Sequence, residues 1–154
     1  MTVEEKLNEY DLFDNSIIKH GNLENIRDYE IVGYLSGQDF DLEVKYIFKG
    51  CIESCFKNVV EPKYFSMDER LLKLSKQDEP DYPQPAFIWD AGTIVYPGWK
   101  LEENTDELTR LESLYKIKFH KIVIETNAYN LSLVFHDLEV NLLKIFNKKA
   151  TGSF

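Results

Sequence analysis

The strongest constraint lies in the last quarter of the chain, where Phe119 to Thr126 and Tyr129 to Leu138 form two alternating runs joined near Asn127-Ala128. Successive side chains of a strand point to opposite faces, so any even-length turn sets His120, Ile122 and Ile124 beside Leu131, Leu133 and Phe135. A long β-hairpin with one buried face is expected. Its other face carries Lys121, Val123, Glu125, Asn130, Ser132, Val134 and His136, too mixed for full burial and too apolar for full exposure. A helix or the N-terminal arm is expected to cover part of it.

A second hairpin is predicted upstream. Asp28 to Leu35 reads as a strand ending at the turn pair Ser36-Gly37, and Asp41 to Phe48 alternates with Leu42, Val44, Tyr46 and Phe48 on one face. That strand is expected to continue through Gly50-Cys51-Ile52-Glu53, with Gly50 marking a bulge or a close approach to the backbone. Ser66 and Glu69 make a capping-box pair ahead of a helix from about Met67 to Lys76, and the proline-rich stretch Gln77 to Pro85 is a loop. Ala86 to Asp90 and Thr93 to Tyr96 read as short strands, the second broken by Pro97-Gly98. Asn104 and Glu107 form another capping-box pair, and Leu108, Leu111, Leu114 and Tyr115 recur at helical spacing, which predicts a helix from about Thr105 to Lys116.

With no β-α-β alternation, the fold class is α+β: a predominantly antiparallel sheet with about two short helices and the long C-terminal β-hairpin. The expected organisation is an N-terminal arm or short helix over residues 1–15, one α+β domain over 16–146 and a flexible tail over 147–154.

The composition bounds the partners. A chain of 154 residues has room for a single core, and ten Phe, nine Tyr and two Trp are too many aromatics for a disordered acidic tail. The net charge of −9 argues against duplex binding, since nucleic-acid affinity depends largely on cations that displace counterions from phosphates. Residues 1–112 hold 24 acids against 12 Lys plus Arg, and residues 113–154 hold 3 against 6. The acid therefore lies in the first three quarters, at Asp39, Asp41 and Glu43, at Asp78, Glu79 and Asp81, and at Glu102, Glu103, Asp106 and Glu107. This is either a solubilising surface or a face for a basic partner.

No apolar run approaches the roughly 20 residues that span a bilayer, so no membrane partner is expected. The acidic first residues lack the basic and apolar regions of a signal peptide, so the expected location is the cytoplasm. There, Cys51 and Cys55 are expected as small hydrophobes; on one strand, four residues apart, they would lie about 13 Å from each other, too far to bond.

The titratable residues do not spell out a reaction. His20, His120 and His136 are the only imidazoles and occur in no metal-binding spacing, so no metal and no cofactor is expected. His120 reads as a core or rim histidine with one ring nitrogen satisfied by backbone. Adjacent strand residues point to opposite faces, so Asp137 is not expected to orient His136 unless the strand ends or bulges there. Arg27 is read as half of a buried bridge to a carboxylate such as Glu125 or Asp137. Trp89 and Trp99 read as core anchors, or, if exposed beside acids, as part of a protein-binding hot spot.

Several short motifs together resemble the YxiG-like domain family of small uncharacterised bacterial proteins. They are His20-Gly21, Arg27-Asp28-Tyr29, Gly50-Cys51-Ile52-Glu53, Tyr96-Pro97-Gly98, Glu125-Thr126-Asn127-Ala128-Tyr129 and Leu133-Val134-Phe135-His136-Asp137. In order and spacing they cover Ser16 to Val140. The resemblance supplies no catalytic residues; it implies a small domain, some of whose relatives come from gene neighbourhoods that carry secreted polymorphic toxins.

Three readings follow. The first is a non-enzymatic immunity protein that covers a basic toxin with the acidic surface. The second is a small-molecule-binding or enzymatic domain, which requires His20, Arg27, Glu125 and His136 to converge in one pocket. The third is a structural or oligomerisation domain without a ligand.

Overall fold

In a computed structural model that describes residues 1–59 and 93–148, the alternating segments build two antiparallel sheets packed face to face. The first sheet contains β1 (Ser16–Asn22), β2 (Tyr29–Leu35), β3 (Phe40–Lys49), β5 (Thr93–Ile94) and β9 (Asp137–Asn147), in the order β5-β1-β2-β3-β9. The second contains β4 (Glu53–Asn58), β6 (Gly98–Glu102), β7 (His120–Glu125) and β8 (Tyr129–Phe135), in the order β4-β8-β7-β6. With helices α1 (Val3–Glu9) and α2 (Asp106–Tyr115), the architecture is α+β and mostly sheet.

The C-terminal hairpin has the expected register, Ile122 opposite Leu133 and Ile124 opposite Leu131. These side chains meet Ile31, Val44, Tyr46 and Phe48 of the first sheet in one buried core. Phe48 and Phe135 pack edge to face across it, ring centroids 4.9 Å apart. The Tyr46 hydroxyl donates to the Tyr10 carbonyl, so the buried ring keeps its polar end satisfied.

Helix α2 covers the outer face of the hairpin. Leu108, Leu111, Phe119 and Val134 form a second, smaller core there, which accounts for Val134 on that mixed face. The helix cap is Thr105, whose hydroxyl accepts from the Leu108 amide, and not Asn104 as the sequence pattern suggests; Asn104 adopts a left-handed conformation just before it. The N-terminal segment forms α1, closed by a Thr2–Glu5 capping box, with Val3 and Leu7 buried. Lys6 ties it to β9 through the Leu138 carbonyl, at 2.8 Å, and the Asp137 carboxylate.

The strand expected to run on through Gly50 instead turns there. Gly50 has φ +59, in the left-handed region that favours glycine, and the chain crosses from the first sheet to the second, continuing as β4 against β8. At His136 it crosses back, from β8 into β9. The two crossings touch: the His136 amide donates to the Lys49 carbonyl, and a Cβ on Gly50 would sit 3.2 Å from that of His136. The helix expected over Met67 to Lys76, the loop Gln77 to Pro85 and the strand Ala86 to Asp90 with Trp89 lie outside the described residues. No helix among the described residues is long and apolar enough to cross a membrane.

Candidate functional site

The described members of the acidic set occupy two separate places, and several are held in internal pairs. Asp41 accepts from the Tyr34 hydroxyl at 2.8 Å and pairs with Lys148 at 3.1 Å, and Glu43 is 4.0 Å from Lys144. Glu103 meets His120, and Glu107 meets Lys121 at 3.2 Å, while Asp106 is exposed and Glu102 half-buried. The Glu103–His120 contact lies beside Phe135, which touches Phe48. Phe48 is eight residues along β3 from Phe40, roughly 26 Å of strand, so the group at Asp39, Asp41 and Glu43 is remote from the group at Glu102 to Glu107. Asp78, Glu79 and Asp81 lie outside the described residues.

His120 thus stands at the rim of the core, as its alternation requires, but its Nδ1 partner is the Glu103 carboxylate and not a backbone group. Arg27 is exposed in the β1–β2 connection and makes no ion pair among the described residues, so the buried bridge expected of it does not form.

The four residues of the pocket reading do not converge. The His20 ring is packed among Tyr29, Phe56 and Tyr129, its Nδ1 2.5 Å from the Tyr29 hydroxyl, and burial lowers its pKa from the ordinary 6.5. His136 is seven residues from Tyr129 at the other end of β8, roughly 23 Å of strand away, where its Nδ1 meets the Lys118 carbonyl. Asp137 turns instead to Lys6 and the Leu138 amide. Glu125 projects from the outer face of β7, on the side opposite the core residues Ile122 and Ile124. Among the described residues no three His, Cys, Asp or Glu side chains are placed to hold a metal ion. Cys51 and Cys55 are both free, one half-buried at the corner and the other exposed on β4.

A different surface combines exposed aromatics with acids. The segment after α1 and the segment around β5 lock together through Asp14 N–H to Val95 O and Val95 N–H to Asn15 O, both 2.8 Å. One carboxylate oxygen of Asp11 accepts from the Phe13 amide at 2.9 Å and from the Trp99 indole at 2.7 Å. Phe13 lies against Gly98, whose φ of +142 and missing Cβ admit the ring. The Phe13 and Tyr96 rings are 6.4 Å apart and tilted, and they are 49% and 58% exposed. The peptide bond between Tyr96 and Pro97 is cis. Glu125 stands directly opposite Gly98 in the β6–β7 register, and Asp14 is exposed beside Phe13.

Two exposed rings held by backbone locks and flanked by carboxylates can take an Arg or Lys side chain, the rings through cation–π contact and apolar cover, the acids through charge-assisted hydrogen bonds. Sequence reasoning singled out Tyr96-Pro97-Gly98, Trp99 and Glu125 separately, but missed Asp11, Phe13 and Asp14. The signal was an apolar pair, Leu12-Phe13, bracketed by two aspartates. Nothing in the spacing places that pair beside residues more than 80 positions later.

A family model described as YxiG-like protein matches residues 1–149. No curated protein matches the chain significantly.

Proposed function

The chain belongs to the YxiG-like protein family, and we propose that it is a non-enzymatic binding protein, an immunity protein that neutralises a basic toxin in the cytoplasm. The observation that carries this reading is the exposed Phe13–Tyr96 pair flanked by Asp14 and Glu125. Aromatic side chains pre-positioned on a surface are the residues that dominate binding energy at interfaces. The overall −9 supplies long-range attraction that speeds encounter with a cationic partner, while the rings hold the complex once formed.

Titration calorimetry with the basic C-terminal domain of a secreted protein encoded beside the gene tests the proposal. A one-to-one complex is expected, with Phe13→Ala and Tyr96→Ala each weakening it by about 2 kcal/mol, roughly 30-fold. Association slows as salt is raised. Absence of a complex with such a domain, or undiminished affinity in both variants, sinks the reading.

A further inference from the structure

We propose that the C-terminal end of α2 is a contact site for an anionic lipid bilayer, where Leu114, Tyr115 and Ile117 enter the interface and Arg110, Lys116 and Lys118 meet lipid phosphates. This surface is separate from the Phe13–Tyr96 patch, and the proposal does not depend on the binding function inferred above.

Helix α2 buries Leu108 and Leu111 beside Val134 and Phe119, and its apolar residues then run on past what the sheet covers. Leu114 is 67% exposed, Tyr115 51% and Ile117 43%. The helix stops at Lys116, whose φ of +63 is left-handed and whose amide donates to the Glu112 carbonyl at 2.9 Å, so the chain turns there into Ile117 and Lys118. Arg110 and Leu114, four residues apart, share one face of the helix. The Tyr115 ring packs edge to face on Phe119, ring centroids 5.5 Å apart, and its hydroxyl has no hydrogen-bond partner among the described residues.

Charge selects the partner. Lysines elsewhere are held in internal ion pairs, among them Lys6 with Asp137, Lys49 with Glu139 and Lys121 with Glu107. Arg110, Lys116 and Lys118 make no ion pair among the described residues, and the one carboxylate in this stretch, Glu112, is half-buried and accepts from the Phe119 amide at 3.2 Å. The net −9 of the chain repels an anionic surface only over a Debye length of about 8 Å in physiological salt, so the charges nearest the surface decide the contact.

An acidic protein would also answer these cations, but three apolar side chains that stand out from a helix end need a shaped hollow in a protein partner. A bilayer interface receives them without one. Leucine and isoleucine reach the acyl boundary, tyrosine places its ring on the apolar side and its hydroxyl in the polar layer, and lysine and arginine lay their stems along apolar surface with their charges on phosphate. The contact is peripheral and needs no spanning helix, and none among the described residues is long and apolar enough to be one. The expectation of no membrane partner concerned spanning segments alone.

Co-sedimentation of the full chain with vesicles tests the proposal, using phosphatidylcholine alone and an equal mixture of phosphatidylcholine and phosphatidylglycerol, with far-UV circular dichroism to show that each variant is folded. The wild type pellets with the mixed vesicles and stays in solution with phosphatidylcholine, and added salt releases it. Leu114→Ser with Ile117→Ser, and separately Arg110→Glu with Lys118→Glu, each lower the partition by about tenfold or more. Lys57, an exposed cation opposite Asn130, lies at the other end of β8 from Val134, and Lys57→Glu leaves the partition unchanged. A wild type that does not pellet with the mixed vesicles overturns the proposal, as does equal pelleting with both compositions, undiminished partition in both double variants or an equal loss in Lys57→Glu. Binding of a poly-glutamate peptide by a protein that ignores the mixed vesicles overturns it in favour of an acidic protein partner.

Discussion

Glu103 and His120 face each other at the end of the β6–β7 pair, Oε1 2.5 Å from Nδ1, while the second carboxylate oxygen of Glu103 is buried with no hydrogen-bond partner among the described residues. Removing one member strands the other, so Glu103→Ala and His120→Ala each destabilise the fold by about 1–3 kcal/mol. Replacing both with apolar residues, E103L together with H120F, costs less than the two single changes combined. Urea denaturation of the four proteins checks this, and strict additivity would refute it.

His20 makes stability depend on pH. Its folded pKa lies below the ordinary 6.5 because burial among aromatic rings disfavours the imidazolium. As pH falls through 6.5 the unfolded chain takes up the proton first, so this contribution is complete above that value and is lost progressively below it. His20→Gln flattens the decline in melting temperature between about pH 7.5 and about pH 5.5. An equally steep decline in the variant would mean that another group is responsible.

At Gly50 a side chain is opposed twice, by the positive φ and by the nearby Cβ of His136. Gly50→Ala is expected to cost about 1–2 kcal/mol, and Gly50→Asn less, since asparagine tolerates the left-handed region better. Thermal unfolding that ranks alanine level with glycine would contradict the conformational argument.

Helix α2 is anchored mainly by its buried leucines. Leu108 is fully buried against Val134, so Leu108→Ala is expected to cost about 3 kcal/mol, whereas Thr105→Ala, which removes only the cap, costs about 1 kcal/mol. The reverse order in chemical denaturation would show that the cap, and not the packing, holds the helix.

The two thiols differ in reactivity. Burial pushes the Cys51 pKa up, and its thiol donates to the Glu53 carbonyl, while Cys55 is exposed. Iodoacetamide therefore labels Cys55 well before Cys51, as peptide mass analysis over a time course would show. Equal labelling rates would count against a shielded Cys51.

Much of the sheet was legible because its side chains alternate. Leu42, Val44, Tyr46 and Phe48 on one hand, and Ile122, Ile124, Leu131 and Leu133 on the other, carry a period of two that only a half-buried strand explains. The crossings were not legible. Asp41 to Glu53 and Tyr129 to Leu138 each read as one strand, because the corners at Gly50 and His136 are too short to interrupt the pattern. β9 was missed for a related reason: the bulge at Leu143 breaks its alternation, so Leu142 and Leu143 look like neither face. The candidate site was legible only in parts. Tyr96, Trp99 and Glu125 drew notice locally, but pairing with Phe13 is a product of the three-dimensional path and leaves no mark in local spacing.

The adjoining crossings at Gly50 and His136 have a mechanical consequence. The chain also passes between the sheets at the β5–β6 link, Val95 to Pro97, so the Gly50–His136 corner is one of several seams, the one where two passages brace each other through the His136 amide and the Lys49 carbonyl. The His136 amide, held by the Lys49 carbonyl, should then be among the last to exchange with solvent. The Phe13–Tyr96 surface sits at another such passage, the β5–β6 link, so its rings are presented to an incoming partner from a braced seam and not from a free loop.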